Sequence, residues 1–121
     1  MEFKVFVYGT LKKGGWNHSF MDGSRCIGNG SLGKDYSLFV DSLPKVVHAP
    51  SQDGVDGELY EVNLETLKKL DRLEGHPLFY KRELVEIFLE DGSTEEAYMY
   101  IYQGGVANGA IKTRSYNVQG G

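Results

Sequence analysis

A carboxylate set into an apolar helix face can carry a proton, and Glu74 occupies such a position. From Leu64 onward the leucines recur at helical spacing. Leu64, Leu67, Leu70 and Leu73 fall on one drifting face, with Glu65, Lys68, Lys69 and Arg72 on the other. Glu74 follows Leu67 by about two turns and shares its direction. Burial disfavours an ionised carboxylate, and the negative end of a helix dipole disfavours it further. Both effects raise its pKa toward neutrality, where a general acid/base works. The alternative is a helix that frays before Glu74 and leaves the carboxylate in water beside Gly75. Asp71, nearer the edge of the stripe, reads as a solvated or N–H-capping carboxylate.

The second chemically useful stretch is Val-Phe-Val-Tyr-Gly-Thr-Leu, residues 5–11. Its apolar run ending at Tyr8 predicts a buried strand, and Gly9 ends it. Glycine permits unusual dihedrals or a close approach to a ligand. The loop after it can aim successive N–H groups into one concavity suited to an anion or to developing negative charge. A glycine at a strand end is also an ordinary turn, so the meaning of this stretch depends on whether Glu74 faces it.

The elements that must position these groups follow from the pattern. A helix is predicted over residues 64–73, capped by Asn63 and stopped by Gly75 and Pro77. Strands are predicted over residues 2–8, 25–33, 36–39, 44–49, 57–62, 79–90 and 95–103, with Asp91-Gly92-Ser93 turning the last pair. Residues 14–21 read as a loop with at most one helical turn, and residues 107–121 as loop and tail. One helix among many short strands gives an α+β class. The expected architecture is a small mixed, mostly antiparallel β-barrel with one main flanking helix, in a single domain over residues 1–121.

Composition excludes several functions. A formal charge of −4 and a pI near 5.3 argue against a nucleic-acid surface. No apolar run approaches the roughly 20 residues of a membrane span. Cys26 is the only cysteine, which suits a reducing compartment and reads as buried filler. The start of the chain, with Glu2 leading into a strand, does not resemble a signal peptide, so a cytoplasmic protein is expected. His18, His48 and His76 lack ligand spacing, which predicts no metal. Asp41-Ser42 has no histidine partner for a hydrolytic triad. Trp16 and His76 are candidates to border a pocket, and Tyr98, Tyr100 and Tyr102 share one strand face suited to packing.

Four segments in order extend this reading: Val-Tyr-Gly-Thr-Leu-Lys (residues 7–12), Gly-Glu-Leu-Tyr (57–60), Leu-Asp-Arg-Leu-Glu-Gly (70–75) and Phe-Tyr-Lys-Arg (79–82). Together they resemble the gamma-glutamylcyclotransferase-like superfamily, in particular the AIG2-like gamma-glutamylaminecyclotransferases. The resemblance runs from about Val5 to Gln103; the glycine-rich stretch after Tyr102 and the tail from Arg114 match poorly. It implies a small β-barrel with flanking helices and a catalytic Glu74. It further implies a substrate cradle at Tyr8, Gly9, Thr10 and Leu11, largely through backbone groups, and Tyr80 beside the substrate. The implied reaction releases 5-oxoproline from an L-γ-glutamyl amine. The nucleophile belongs to the substrate, so no metal or cofactor is required, and a monomer with a small-molecule partner is expected. A non-catalytic module that binds a γ-glutamyl or carboxylate ligand is the alternative. An acid beside such a pocket favours the enzyme. A scaffold recognised through its acidic surface is the third alternative.

Overall fold

The computed structural model describes residues 2–117. Strand β1 (Glu2–Val7) leads through a 3-10 turn (His18–Met21) to β2 (Arg25–Leu32), β3 (Tyr36–Val40), β4 (Pro44–His48) and β5 (Val55–Asn63). Helix α1 (Leu64–Glu74) follows, then β6 (Tyr80–Leu89), β7 (Thr94–Tyr102) and β8 (Ile111–Thr113). The predicted α+β barrel is present: β1-β5-β2-β6-β7 close into a barrel, and β4-β3-β8 form a separate sheet. Barrel pairings are antiparallel except for the closing contact of β1 with β7, where Val5 meets Tyr98 in parallel. The short β8 departs from the expected loop, pairing with β3 from Leu38 to Val40. The end of the predicted tail, residues 118–121, lies outside the described residues.

Strand alternation divides the apolar residues between two clusters. Phe6 and Tyr8 of the first segment, with Ala97, Met99 and Ile101 of β7, pack inside the barrel. Leu38 and Val46 from the small sheet join that interior cluster. The opposite faces of the same strands carry Val5, Val7 and Tyr100, and these pack under α1 through Leu67 and Leu70. Burying each such leucine contributes about 1.5–3 kcal/mol. The predicted leucine stripe is narrower than its spacing suggests. Leu64 and Leu73 are 47% and 36% exposed, because three-residue steps drift around the helix and carry the ends of the stripe off the barrel.

Both helix ends follow from local chemistry. Asn63 accepts a hydrogen bond from the Thr66 N–H at 2.8 Å, satisfying one free donor of the first turn. Gly75 adopts the left-handed conformation at φ 65°, and its N–H returns to the Arg72 carbonyl. A side chain at Gly75 would also strike the Phe79 ring, 2.6 Å from its Cδ2. The helix therefore holds its geometry through Glu74 before the chain turns away.

Candidate active site

Glu74 shares the face of Leu67, so its side chain turns toward the barrel, where β1 gives way to the loop after Tyr8. A hollow of about 220 Å³ lies there. Tyr8, Gly9, Leu11, Glu74 and Tyr80 line it, so the structure brings together five of the six residues singled out from sequence. Thr10 stands behind the wall. Its hydroxyl accepts from the Asn17 side chain at 3.0 Å, and its carbonyl accepts from the Asn17 N–H at 3.1 Å. Asn17, Pro44 and Tyr100 complete much of the wall and were not singled out as site residues. Trp16 and His76 do not line it; Trp16 is 66% exposed, and His76 Nδ1 accepts from the Arg82 N–H at 3.0 Å.

The loop has a defined shape. The Lys12 N–H bonds to the Gly9 carbonyl at 3.0 Å, and His18 Nδ1 donates to the Leu11 carbonyl at 2.9 Å. These contacts engage the Gly9 and Leu11 carbonyls. Among the described residues, no backbone hydrogen bond outside the strands and helix uses the N–H groups of Gly9, Thr10 or Leu11. Successive donors of this kind beside a cavity suit a carboxylate or an oxyanion.

Gly9 is required here for space. It is not among the glycines with positive φ. A Cβ on it would sit 2.5 Å from Cγ of Pro44, which also lines the hollow. The proline ring is stiff and cannot rotate away. Gly9→Ala is therefore expected to destabilise the fold by about 1–3 kcal/mol and to raise KM by narrowing the hollow. Chemical denaturation and steady-state kinetics check the two effects separately.

Glu74 is half-buried, and no hydrogen bond to it is present among the described residues. Burial alone pushes its pKa up to about 7. Two tyrosines share the wall. Burial first, and then the charge of Glu74, raises the pKa of both Tyr8 and Tyr80, so both phenols remain protonated. Tyr8 donates to the Tyr100 carbonyl at 2.7 Å, and Tyr80 donates to the Pro44 carbonyl at 3.0 Å. With their protons committed, the rings serve as walls, and among the described residues lining the hollow Glu74 is the titratable group with no hydrogen bond of its own.

The raised pKa has a consequence for stability. The folded state favours protonated Glu74, so this contribution is fully present below the ordinary value of 4.5 and is lost as pH rises through about 7. Glu74→Gln removes the burden of the buried charge. It is expected to stabilise the protein at pH 8 by about 1–2 kcal/mol, after allowing for partial exposure, and to have less effect at pH 4.5. Thermal unfolding at the two pH values measures the difference.

Asp71 departs from the solvated or N–H-capping role expected of it, because side chains of β6 and β7 are its partners. Its side chain is 21% exposed and forms a bidentate pair with Arg82, with Oδ1 to Nε at 2.8 Å and Oδ2 to Nη2 at 3.0 Å. Tyr100 also donates its hydroxyl to Oδ1 at 2.7 Å. Burial works against the charge of Asp71, but the bonds from Arg82 and Tyr100 overcome it and lower the pKa. Asp71 and Glu74 near the end of the helix thus differ: Asp71 is held ionised by partners, and Glu74 has none among the described residues.

Comparison with known proteins gives the family of the chain. The family described as gamma-glutamyl cyclotransferase, AIG2-like, matches residues 5–118. A Methanocaldococcus jannaschii protein provisionally named a gamma-glutamylcyclotransferase is 45% identical over 103 residues, 84% of this chain and 85% of that protein. Gamma-glutamylaminecyclotransferase of Rattus norvegicus is 36% identical over 92 residues, 69% of this chain and 62% of that protein. The crystal structure of an AIG2-like protein from Mus musculus superposes with a TM-score of 0.85 at 26% identity, covering 98% of this chain and 90% of that one. No helix among the described residues is long and apolar enough to cross a membrane. With a family model matching residues 5–118 and the barrel fold shared with the mouse protein, the chain belongs to the gamma-glutamyl cyclotransferase, AIG2-like, family of enzymes.

Proposed function

We propose that this protein cyclises an L-γ-glutamyl amine to 5-oxoproline and a free amine, with Glu74 as general acid/base. The observation that carries the reading is Glu74 itself: a carboxylate without a hydrogen-bond partner among the described residues, on the wall of a hollow that Gly9 and Leu11 also line. The name of the rat relative supports an amine as the leaving group.

The substrate supplies its own nucleophile. Ionised Glu74 takes a proton from the α-ammonium, and the freed amine attacks the γ-carbonyl carbon. The new C–N bond closes a five-membered ring, and the carbonyl π electrons move to oxygen. The unengaged N–H groups of the loop are suited to stabilise that oxyanion or the α-carboxylate. Collapse of the intermediate breaks the original amide bond, and protonated Glu74 gives the departing nitrogen its proton. A second proton follows the same route, so the α-nitrogen loses two protons and the released amine gains both. A pKa of about 7 lets one carboxylate serve in both directions. The hollow must also fold the glutamyl chain so that amine and carbonyl meet, a proximity effect.

The test is incubation with Nε-(γ-glutamyl)lysine and detection of 5-oxoproline and lysine in equal amounts. Saturable binding with no product would make the protein a binding module instead. Thr10 does not line the hollow and enters this reading through Asn17, whose side chain donates to its hydroxyl and which does line it.

A further inference from the structure

A second hollow, of about 490 Å³, adjoins the first and shares Leu43, Leu73, Glu74 and Tyr80 with it. Glu74 therefore stands on the boundary between two spaces. The first is lined by Gly9 and Leu11, whose N–H groups the cyclisation reading assigns to the glutamyl group. The second is lined by neither. Its distinctive walls are Phe79, Tyr102, Lys45 and Arg72.

Three apolar side chains around this second hollow are left open to water: Leu43 at 44%, Leu73 at 36% and Phe79 at 68% exposure. They offer contact to an apolar chain. The charges are unequal. Lys45 is committed to Asp41 at 2.8 Å and lies over the Tyr102 ring, 4.9 Å from its centroid. Among the described residues Arg72 has no carboxylate partner, and the neighbouring Asp71 is paired with Arg82. The hollow thus offers an apolar path with one uncommitted guanidinium on its wall.

We infer that the second hollow is the subsite for the leaving amine, and that Arg72 selects amines carrying a carboxylate at the far end of an apolar chain. The inference rests on the cyclisation reading and deepens it. A glutamyl group in the first hollow would present its scissile amide at Glu74, the shared wall, and the amine substituent would continue into the second. A guanidinium pairs well with a carboxylate and repels an ammonium. The same contact explains why Arg72 is more than a cation placed near the negative end of a helix, which would stabilise the fold without regard to substrate.

Two substrates of equal length isolate the contact: γ-glutamyl-6-aminohexanoate, with a distal carboxylate, and γ-glutamyl-hexylamine, with a distal methyl. Wild-type protein is expected to favour the first in kcat/KM, and Arg72→Gln to reduce that preference by about tenfold. Lys68→Gln, which removes an equal charge from the outer helix face, is expected to leave the ratio in place. An Arg72 role confined to the fold would lower both substrates by the same factor and overturn the inference. Calorimetry of γ-glutamyl-6-aminohexanoate binding provides the independent readout, using Glu74→Gln with and without Arg72→Gln where the compound turns over, and wild type against Arg72→Gln where it does not. Binding that weakens about tenfold without Arg72 while no compound turns over supports Arg72 as the contact of the amine substituent and overturns only the cyclisation reading. Turnover with binding indifferent to Arg72 overturns only the subsite, and absence of binding overturns both.

Discussion

Glu74→Gln is expected to lower kcat for γ-glutamyl amines by more than about a hundredfold while KM changes little. Glutamine matches the shape of the protonated acid, so the hollow keeps its walls and its packing against Leu73 and Tyr80. It cannot accept the α-ammonium proton or return one to the leaving nitrogen. What remains is the folding of the substrate onto itself and the donors of the Gly9–Leu11 loop, and these support a residual rate. The pH profile adds a second signature. Wild-type kcat/KM should rise with pH through about 7 as Glu74 ionises, and the variant should lose that limb. Because the same substitution is expected to stabilise the fold at pH 8, lost activity cannot be ascribed to unfolding. Equal rates in variant and wild type would remove Glu74 from the chemistry.

Much of this arrangement was legible in the sequence because it depends on periodicity and on backbone punctuation. The spacing of Leu67, Leu70 and Glu74 sets one helix face, and the Gly75 stop keeps that face intact to its last residue. Alternation in β7 likewise separates Met99 and Ile101 from Tyr100. The parts that sequence did not disclose depend on contacts between distant segments. Pro44 enters the wall because β4 packs across the barrel, and its Cγ is what makes Gly9 necessary. Asn17 follows a glycine-rich loop whose fold is set by bonds back to Thr10. Strand β8 is three residues long and has no alternation to read; it forms because β3 offers an edge. Asp71 was misplaced for the same reason. Its position at the edge of the leucine stripe suggested water, and only the pairing of β6 with β7 brings Arg82 opposite Tyr100 and both to Asp71.

That three-element junction supports the second large prediction. Asp71→Ala should destabilise the protein by about 2–4 kcal/mol, roughly a 10 °C fall in Tm for a chain of this size. The loss comes less from the missing attraction than from what is left behind. Arg82, whose side chain is 21% exposed and whose guanidinium carbon lies 4.5 Å from the Tyr98 ring centroid, would remain half-buried without its anion. The Tyr100 hydroxyl would lose its acceptor as well. Adding Arg82→Met should therefore recover part of the stability, a result that a purely additive loss would contradict. The effect has a pH signature. The folded state holds the pKa of Asp71 below 3.8, so the contribution is present above that value and is lost as pH falls through the lower folded value. The gap between wild type and variant should narrow in strong acid, opposite in direction to the behaviour of Glu74. Activity should suffer too, through geometry: Tyr100 lines the hollow, and its carbonyl is the acceptor that fixes Tyr8. Asp71→Ala is expected to raise KM while preserving the limb near pH 7, because the positioning of the wall is loosened and the proton carrier remains.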